Sequence, residues 1–309
     1  MATNNLRIIY SNLVDLSTTT ITASSTQSGT PSVSNLKKDA KGLIWRSSPT
    51  TVSSTTVRAY LTIDFGSGNA KSIQGVALAF TNLVSSTATI KVQGSDIAFA
   101  ANTESQIDNP GVIPANIATP VLACPWNTLG LPDWGTNPVG ANTYAYGGGT
   151  YARVWLSDTT PRRYWNIEIT DTRPAGTGHY IEVSRLIMGQ YWTPTYNTGY
   201  GMTNSMKDMS THERTESGDL ISQRGPRYSC LNFDLKYVNP IDRIQLTKIM
   251  LGNGLPRPLL VSLFPDNGTT TIKAEMERAH QIYGKMVTLP GITYDMLDIY
   301  STQFEIEEV

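Results

Sequence analysis

The sequence predicts a mainly β protein, and three observations support this prediction. Charged residues make up only 16% of the 309 residues, below the usual quarter of a soluble protein. Ser, Thr, Asn and Gly are abundant, which suits β structure with polar, uncharged surfaces. Apolar side chains recur at every second position in several segments, which is the spacing of a strand with one buried face.

Strand alternation is clearest in four segments of the first 190 residues, and a further strand is expected over residues 6–10. In each segment the apolar residues should share the buried face of one strand. These faces are Leu61, Ile63 and Phe65; Val76, Leu78 and Phe80; Ala88, Ile90 and Val92; and Trp165, Ile167 and Ile169.

Two tryptophans and one aspartate in or near these segments have predicted roles. Trp45 and Trp165 should pack in the core, because aromatic side chains dominate β cores. Asp64 lies on the face opposite Ile63, and we expect it to cap a turn or to pair with Arg58 or Lys71.

The order of short motifs between residues 36 and 96 is more specific than the alternation. The tryptophan of Ile44-Trp45-Arg46-Ser47 precedes a strand that ends in Asp64-Phe65-Gly66, and two further strands lead to the turn Gly94-Ser95-Asp96. This order resembles the discoidin group of galactose-binding-like β-sandwiches. The resemblance covers about residues 6–190. It implies a jelly-roll sandwich that binds or positions other molecules and that rarely carries out chemistry.

Residues 99–152 are too long for an ordinary connection in a sandwich, and long insertions on rigid scaffolds tend to be functional. Trp126, Trp134, Tyr144 and Tyr146 lie here among Pro and Gly, with no strand alternation to bury them. Such rings can bind the apolar faces of sugars, contact a neighbouring subunit, or pack within the loop. These four are the candidate glycan-binding or subunit-contact residues, and the three alternatives stay open.

The composition and residue pattern change after residue 190. This change divides the chain into two predicted domains, residues 1–190 and 191–309. Residues 202–227 are polar and charged. Leu231, Phe233, Leu235 and Tyr237 then alternate as one strand face. Asn239-Pro240 begins a short helix over residues 241–251, which Gly252 should end.

The last part of the chain is predicted to form a β hairpin and a final strand. Residues 259–264 form a buried strand, and Pro265-Asp266-Asn267-Gly268 is a hairpin turn because Asn-Gly tolerates positive φ. The chain closes in Glu305-Ile306-Glu307-Glu308, an alternating acidic strand. Together with Ile282-Tyr283-Gly284-Lys285, these motifs resemble the tail-tip domain of long-tailed bacteriophages.

This second resemblance covers about residues 190–309, and its group includes distal and minor tail proteins. It implies a small β domain that forms a ring or attaches to the end of a tail tube. The familiar distal tail proteins place the ring-forming domain first, whereas here the sandwich comes first. The position in the tail therefore stays open.

Recognisable catalytic motifs are absent from the sequence. His179, His212 and His280 are scattered, and His212-Glu213 lacks the second histidine of a zincin helix. We therefore predict a non-enzymatic protein with no catalytic residue, no metal site and no cofactor. A glycoside hydrolase stays a remote alternative, because its two carboxylates meet only in the fold.

Charge and hydropathy limit the expected partners. A net charge of -1 gives no electrostatic footprint for nucleic acid. The sequence contains no long apolar run and no signal peptide, so membrane insertion is not expected. Cys124 and Cys230 should be two buried free thiols.

The two resemblances, together with the absence of catalytic motifs, imply a structural component of a phage tail tip or baseplate, made in the host cytoplasm and located in the virion. Residues 191–309 would form a three- or six-fold ring with other copies and contact other tail proteins. Residues 1–190 would project outward as a spacer or as a weak binder of host cell-surface glycans. The alternative is a free-standing carbohydrate-binding protein.

Overall fold

The computed structural model describes residues 5–28, 32–48, 56–83, 88–99, 116–118, 150–157, 160–172, 179–223, 225–265, 276–277 and 279–309. Antiparallel sheets dominate these residues, and the predicted mainly β class is confirmed. Trp126, Trp134, Tyr144 and Tyr146 lie outside the described residues, as do Cys124 and residues 266–268 of the predicted hairpin turn.

Two sheets form the predicted sandwich, which is confirmed. In spatial order, the five-stranded sheet consists of β2 (Thr20–Ala23), β4 (Thr56–Asp64), β9 (Tyr164–Thr172), β6 (Ala88–Ser95) and β7 (Asn116–Ala118). The four-stranded sheet consists of β3 (Trp45–Arg46), β10 (Glu182–Gly189), β5 (Gly75–Thr81) and β8 (Thr150–Trp155). Short 3-10 helices at Leu13–Asp15 and Val33–Lys37 precede β2 and β3.

A third, eight-stranded sheet contains most of the C-terminal strands. Its order is β11 (Tyr191–Trp192), β1 (Arg7–Ile9), β16 (Leu259–Ser262), β17 (Gln281–Met286), β19 (Ile299–Glu308), β15 (Arg227–Val238) and β12 (Thr203–Asp208), with β18 (Ile292–Met296) paired to β19. Two further strands, β13 (Thr211–Arg214) and β14 (Leu220–Gln223), form a separate hairpin. The helix α1 (Pro240–Asn253) packs on this third sheet through Leu246 and Ile249.

The first strand does not join the sandwich, where the sequence resemblance placed it. Ile8 of β1 pairs with Val261 of β16 on one side and with Trp192 of β11 on the other. Leu6 and Ile8 fill the core of the third sheet, which is the physical reason for this placement. The predicted division at residue 190 stays a prediction, but residues 7–9 complete the sheet that residues 191–309 mainly form.

The four-stranded sheet is covered on both faces, so the protein has three sheet layers. Val76 and Leu78 of β5 face the five-stranded sheet. Ala77 of the same strand faces the eight-stranded sheet, in a cluster with Ile9 and Leu260. Strands β5 and β10 are therefore buried at every residue, as expected of strands in a central layer.

Two strand faces differ from the predicted alternation, each at a bulge. Phe80 has a φ of 55° and lies in the cluster with Ala77 rather than beside Val76, and the pairing of β5 with β8 shifts register next to it. Tyr237 is 62% exposed, because a register shift between Leu235 and Val238 brings Val238 into the core instead. One extra residue at a bulge moves the side chains that follow it to the opposite face of the sheet.

The predicted helix forms, with a different end. The Asn239 side chain accepts a hydrogen bond from the Asp242 amide at 2.7 Å, which caps the first turn. The helix passes through Gly252 and ends at Asn253, where Gly254 adopts a φ of 54°. The predicted stop at Gly252 was therefore two residues early.

Buried charges tie the central layer to the third sheet. Glu277 is fully buried and accepts hydrogen bonds from Arg153, from Trp155 Nε1 at 3.0 Å and from Ser262 Oγ at 3.0 Å. Arg153 and Trp155 belong to β8, and Ser262 belongs to β16. One carboxylate thus joins two sheets.

A second buried cation lies in the same interface. Arg185 of β10 is 1% exposed, and its Nε donates to the Tyr283 hydroxyl of β17 at 3.0 Å. Its Nη2 contacts Asp15 at 2.7 Å and Asp39 at 2.9 Å. Burial raises the pKa of Tyr283, so its hydroxyl stays protonated and can both donate and accept hydrogen bonds. Lys41 and Tyr151 make a third link, through Glu308 at 2.9 Å and 3.0 Å.

The Asp64 side chain joins the end of β4 to the start of β9. It accepts from the Gly66 amide at 2.8 Å, so the predicted turn cap is observed. Its charged partner is Arg163, which donates through Nε at 2.8 Å and Nη2 at 2.9 Å, rather than Arg58 or Lys71. The pairing of Asp64 with Tyr164 in the β4–β9 ladder places Arg163 within reach.

We predict that Glu277→Leu lowers the free energy of unfolding by about 3–5 kcal/mol, because Arg153 would remain buried without its carboxylate. The double variant Glu277→Leu with Arg153→Met should recover most of this loss. Urea denaturation measures both. The matched control is Glu216→Gln at the exposed hairpin tip, which should change stability by less than about 0.5 kcal/mol. A Glu277→Leu cost as small as the control would contradict this role.

We also predict a pH-dependent contribution from Asp64. Its pKa is lowered, mainly by the hydrogen bonds from Arg163, against the opposing effect of burial. A carboxyl whose folded-state pKa is depressed stabilises the fold above its unfolded pKa of about 3.9, and this contribution disappears as the pH falls through the folded-state value.

Urea denaturation at a series of pH values tests this. The stability difference between the wild type and Asp64→Asn should be largest near neutral pH and should shrink in acid. Asp219→Asn, at the exposed hairpin tip, should follow the wild type. A difference that stays constant with pH would contradict the prediction.

Candidate functional site

Strand termini of both sheets meet at one end of the sandwich, which we call the loop end. In the five-stranded sheet, β4 begins here at Thr56, opposite Thr172, where β9 ends. In the four-stranded sheet, β5 ends here at Thr81, which pairs with Val183 of β10. The loop end is therefore built by strand termini that the core holds in fixed register.

The described residues on either side of the four candidate aromatic residues lie at this end. Ala118, the last described residue before them, pairs with Ile90 near the start of β6. Thr150, the first described residue after them, pairs with Thr81 at the end of β5. The two described residues that flank residues 119–149 therefore both lie at the loop end.

Tyr151, which the sequence assigned to the insertion, belongs to β8 instead. It is 5% exposed and packs against Phe80, with ring centroids 5.3 Å apart. Burial raises its pKa, and the nearby Glu308 raises it further. Tyr151 is therefore part of the interface between sheets and not of a recognition surface.

Arg46 is the centre of the polar surface at the loop end. Its guanidinium carbon lies 4.3 Å from the centroid of the Tyr180 ring, which is cation–π distance. Its Nε donates to Glu182 Oε1 at 2.6 Å, and its Nη1 donates to Gln27 Oε1 at 3.1 Å. With Asn82, these five residues form what we call the arginine shelf.

Asn82 fixes the backbone that carries the shelf. Its Nδ2 donates to the Tyr180 carbonyl at 2.9 Å, and its Oδ1 accepts from the Glu182 amide at 2.8 Å. One side chain thereby holds two of the three residues that contact Arg46, Tyr180 and Glu182. The shelf is a preorganised surface rather than a set of independent side chains.

Hydroxyl-bearing residues continue the shelf toward the five-stranded sheet. The Ser25 hydroxyl accepts from the Ser48 amide at 3.2 Å, and Ser48 Oγ donates to the Thr26 carbonyl at 3.3 Å. Trp45 Nε1 donates to Thr26 Oγ1 at 3.2 Å. The Trp45 ring is fully buried and the Trp165 ring is 2% exposed, so both pack in the core as predicted.

The electrostatics of the shelf are balanced. The Arg46 side chain is 28% exposed and the Glu182 side chain is 11% exposed, so their charges neutralise each other near the surface. A guanidinium has five N–H donors, more than these contacts require. The shelf can thus offer N–H donors, amide groups and an aromatic ring to a neutral polar ligand.

Sequence reasoning missed the shelf as a site. Trp45-Arg46 was noted as part of the sandwich resemblance, but neither Tyr180 nor Glu182 was singled out as a candidate site residue. Arg46 and Glu182 are 136 residues apart in the chain. The antiparallel pairing of β3 with β10 brings them together.

A second concave surface lies on the eight-stranded sheet, away from the shelf. It is an open groove of about 750 Å³ between β15, β18 and β19. Asn232, Asp234, Gln303 and Glu305 line its floor, and Asn232 accepts a hydrogen bond from Gln303 Nε2 at 3.0 Å.

Neither a metal-binding cluster nor a membrane-spanning helix is found among the described residues. Within them, no three His, Cys, Asp or Glu side chains are grouped in a way that could hold a metal ion. None of their helices combines the length and the apolar character that a membrane-spanning helix needs.

Comparisons with known proteins find similarity in solved structures only. No protein-family model matches the chain, and no curated protein matches it. A chitosan-binding module of a chitosanase/glucanase from Paenibacillus sp. IK-5 is 12% identical, with a TM-score of 0.35, over 58% of this chain and 99% of that one.

Two other solved structures are similar at the same level. The family 32 carbohydrate-binding module of Clostridium perfringens NanJ, in complex with galactose, is 12% identical over 60% of this chain and 99% of that one, with a TM-score of 0.32. An F-lectin from the serum of Morone saxatilis (striped bass) is 11% identical over 74% and 70%, with a TM-score of 0.33. At TM-scores this low, the likeness adds nothing to the architecture that the strand pairing establishes.

Proposed function

We propose that the sandwich binds a neutral glycan at its loop end. The observation that carries this proposal is the arginine shelf, where Arg46 is stacked on Tyr180 and neutralised by Glu182. Neutral sugars bind through ring faces together with a few placed hydrogen-bond donors and acceptors. The described residues on either side of residues 119–149 lie at the same end, which supports the proposal because the four candidate aromatic residues belong to that part of the sequence.

The shelf favours binding over catalysis. Glu182 is the carboxylate of the shelf, and it is ion-paired with Arg46 and fixed by Asn82. Glycoside cleavage needs one carboxyl group that can act as an acid and a second one at a suitable distance. We therefore propose a non-enzymatic protein and keep the hydrolase as the remote alternative.

A second proposal concerns the C-terminal part of the chain, which we propose holds copies of the protein in an assembly. The observation behind it is the exposed apolar surface of this part, because exposed apolar patches mark interaction sites. The exposed side chains include Met206, Met209, Leu220, Ile221, Tyr294, Met296 and Leu297. The sequence resemblance to tail-tip domains suggests a phage tail tip or baseplate as the assembly, with the sandwich directed at host glycans.

Multivalency connects the two proposals. A single open shelf would bind a sugar weakly, whereas several copies in a symmetric assembly would bind a glycan surface with high avidity. A free-standing carbohydrate-binding protein is the alternative, and the oligomeric state separates the two.

We predict that Tyr180→Ala weakens glycan binding at least about tenfold, which is ~1.4 kcal/mol. Arg46→Lys should also weaken it, because lysine keeps the charge but loses the planar stacking and the fork of donors. A glycan array with the full-length protein identifies the ligand, and titration calorimetry measures the change.

The matched control for the shelf is Lys71→Ala at the opposite end of the sandwich, which should leave binding unchanged. Trp126→Ala, Trp134→Ala, Tyr144→Ala and Tyr146→Ala separate the remaining alternatives. Loss of glycan binding would assign these residues to the ligand site, and a changed oligomeric state would assign them to a subunit contact. A shelf variant that folds normally and binds as tightly as the wild type would rule out the shelf as the site.

We predict that the purified protein forms a closed assembly with three- or six-fold symmetry. Light scattering after size-exclusion chromatography gives the mass, and negative-stain electron microscopy gives the symmetry. A protein that stays monomeric at every concentration would contradict the assembly role and would favour the free-standing binder.

A further inference from the structure

The chain from β12 to β15 forms one long antiparallel ribbon that extends beyond the core. Its proximal half is β12 paired with β15, as the edge of the eight-stranded sheet. Its distal half is β13 paired with β14, which we call the distal ribbon. All eight side chains of the distal ribbon are exposed on the described molecule.

A close contact between the two backbones separates the two halves. The Met209 amide donates to the Pro226 carbonyl at 3.0 Å, and a Cβ on Gly225 would lie 2.3 Å from the Met209 carbonyl carbon. Asp208 accepts from the Ser210 amide at 2.8 Å. Only glycine fits at position 225, so this close approach of the two backbones depends on the sequence.

The tip of the distal ribbon is closed by local hydrogen bonds. The Thr215 amide donates to the Asp219 carbonyl at 2.9 Å, and the Gly218 amide donates to the Thr215 carbonyl at 2.9 Å. Gly218 has a φ of 90°, a conformation that favours glycine. The tip therefore defines the register of β13 against β14 without help from a core.

The pairing register gives the two faces of the distal ribbon opposite charges. Glu213 pairs with Ile221, so one face carries a carboxylate and an aliphatic side chain. Arg214 pairs with Leu220, so the other face carries a guanidinium and an aliphatic side chain. Ile221 is 59% and Leu220 is 55% exposed. The two faces are complementary to each other in charge, and each offers one aliphatic side chain for burial.

A two-stranded ribbon without a hydrophobic partner is marginally stable in water. We propose that the distal ribbon stacks on the distal ribbon of a second copy of this chain, with the Glu213–Ile221 face of one copy against the Arg214–Leu220 face of the next. This inference rests on the proposed assembly and names the surface that forms it. Because the two contacting faces differ, the contact is heterologous and repeats from copy to copy into a ring or a filament.

Sedimentation velocity of the full-length protein at low and high salt tests the contact. Glu213→Lys makes both faces basic, and Arg214→Glu makes both faces acidic. Each single variant should weaken self-association at low salt by roughly tenfold or more, because like charges then face each other. Glu216→Lys at the tip changes the net charge as much as Glu213→Lys does and should leave association unchanged.

Two rescue experiments distinguish stacking from a general effect of charge. An equimolar mixture of Glu213→Lys and Arg214→Glu proteins should associate again into linear oligomers or rings with an even number of copies, because each contact between the two variants joins a basic face to an acidic one. The double variant Glu213→Lys with Arg214→Glu should associate by itself, because its faces are exchanged but still complementary. High salt should weaken the wild type and both rescued forms.

The outcomes separate this inference from the proposed assembly. Single variants that associate like the wild type, or rescue that fails in both forms, would overturn ribbon stacking while the assembly proposal stands. A wild type that is monomeric throughout would overturn both. Glycan binding by the sandwich is measured independently and is unaffected by either result.

Discussion

The buried charges between the central sheet and the third sheet constrain the whole molecule. A guanidinium that leaves water is tolerated only when carboxylates and hydrogen-bond acceptors surround it. Arg153 pairs with Glu277 through Nη2, and Arg185 contacts Tyr283, Asp15 and Asp39. Apolar contacts alone would allow two sheets to slide, whereas these bonds are satisfied in one relative position.

This constraint extends to the candidate binding surface along a single strand. Strand β10 begins at Glu182 in the arginine shelf and continues to Arg185 in the buried interface. Its last residue, Gly189, lies where a Cβ would approach the Ser11 carbonyl oxygen to 2.4 Å. The shelf therefore stands on a strand that is fixed at both ends, which lowers the entropy lost when a ligand binds.

Sequence patterns predicted the strands whose alternation is uninterrupted and failed where one residue changes the phase. Leu61, Ile63 and Phe65 are buried on one face as predicted. Phe80 and Tyr237 differ, because each lies at a bulge that no local residue pattern marks. The place of β1 in the third sheet could likewise not be predicted from the sequence, because its partner strand β16 begins far along the chain at residue 259.

The surfaces available for recognition were harder to predict than the core, for a related physical reason. A core residue is marked by its own hydropathy, whereas the arginine shelf exists only because β3 pairs with a strand 136 residues away. The distal ribbon shows the same limit in another form. Its neighbouring residues Glu213 and Arg214 belong to a segment that the sequence marks only as polar and charged, but consecutive side chains of a strand point to opposite faces. The opposite charges of Glu213 and Arg214 sum to zero in the sequence, but in the fold they lie on opposite faces. Each face then has its own charge and can bind a partner face of the opposite charge.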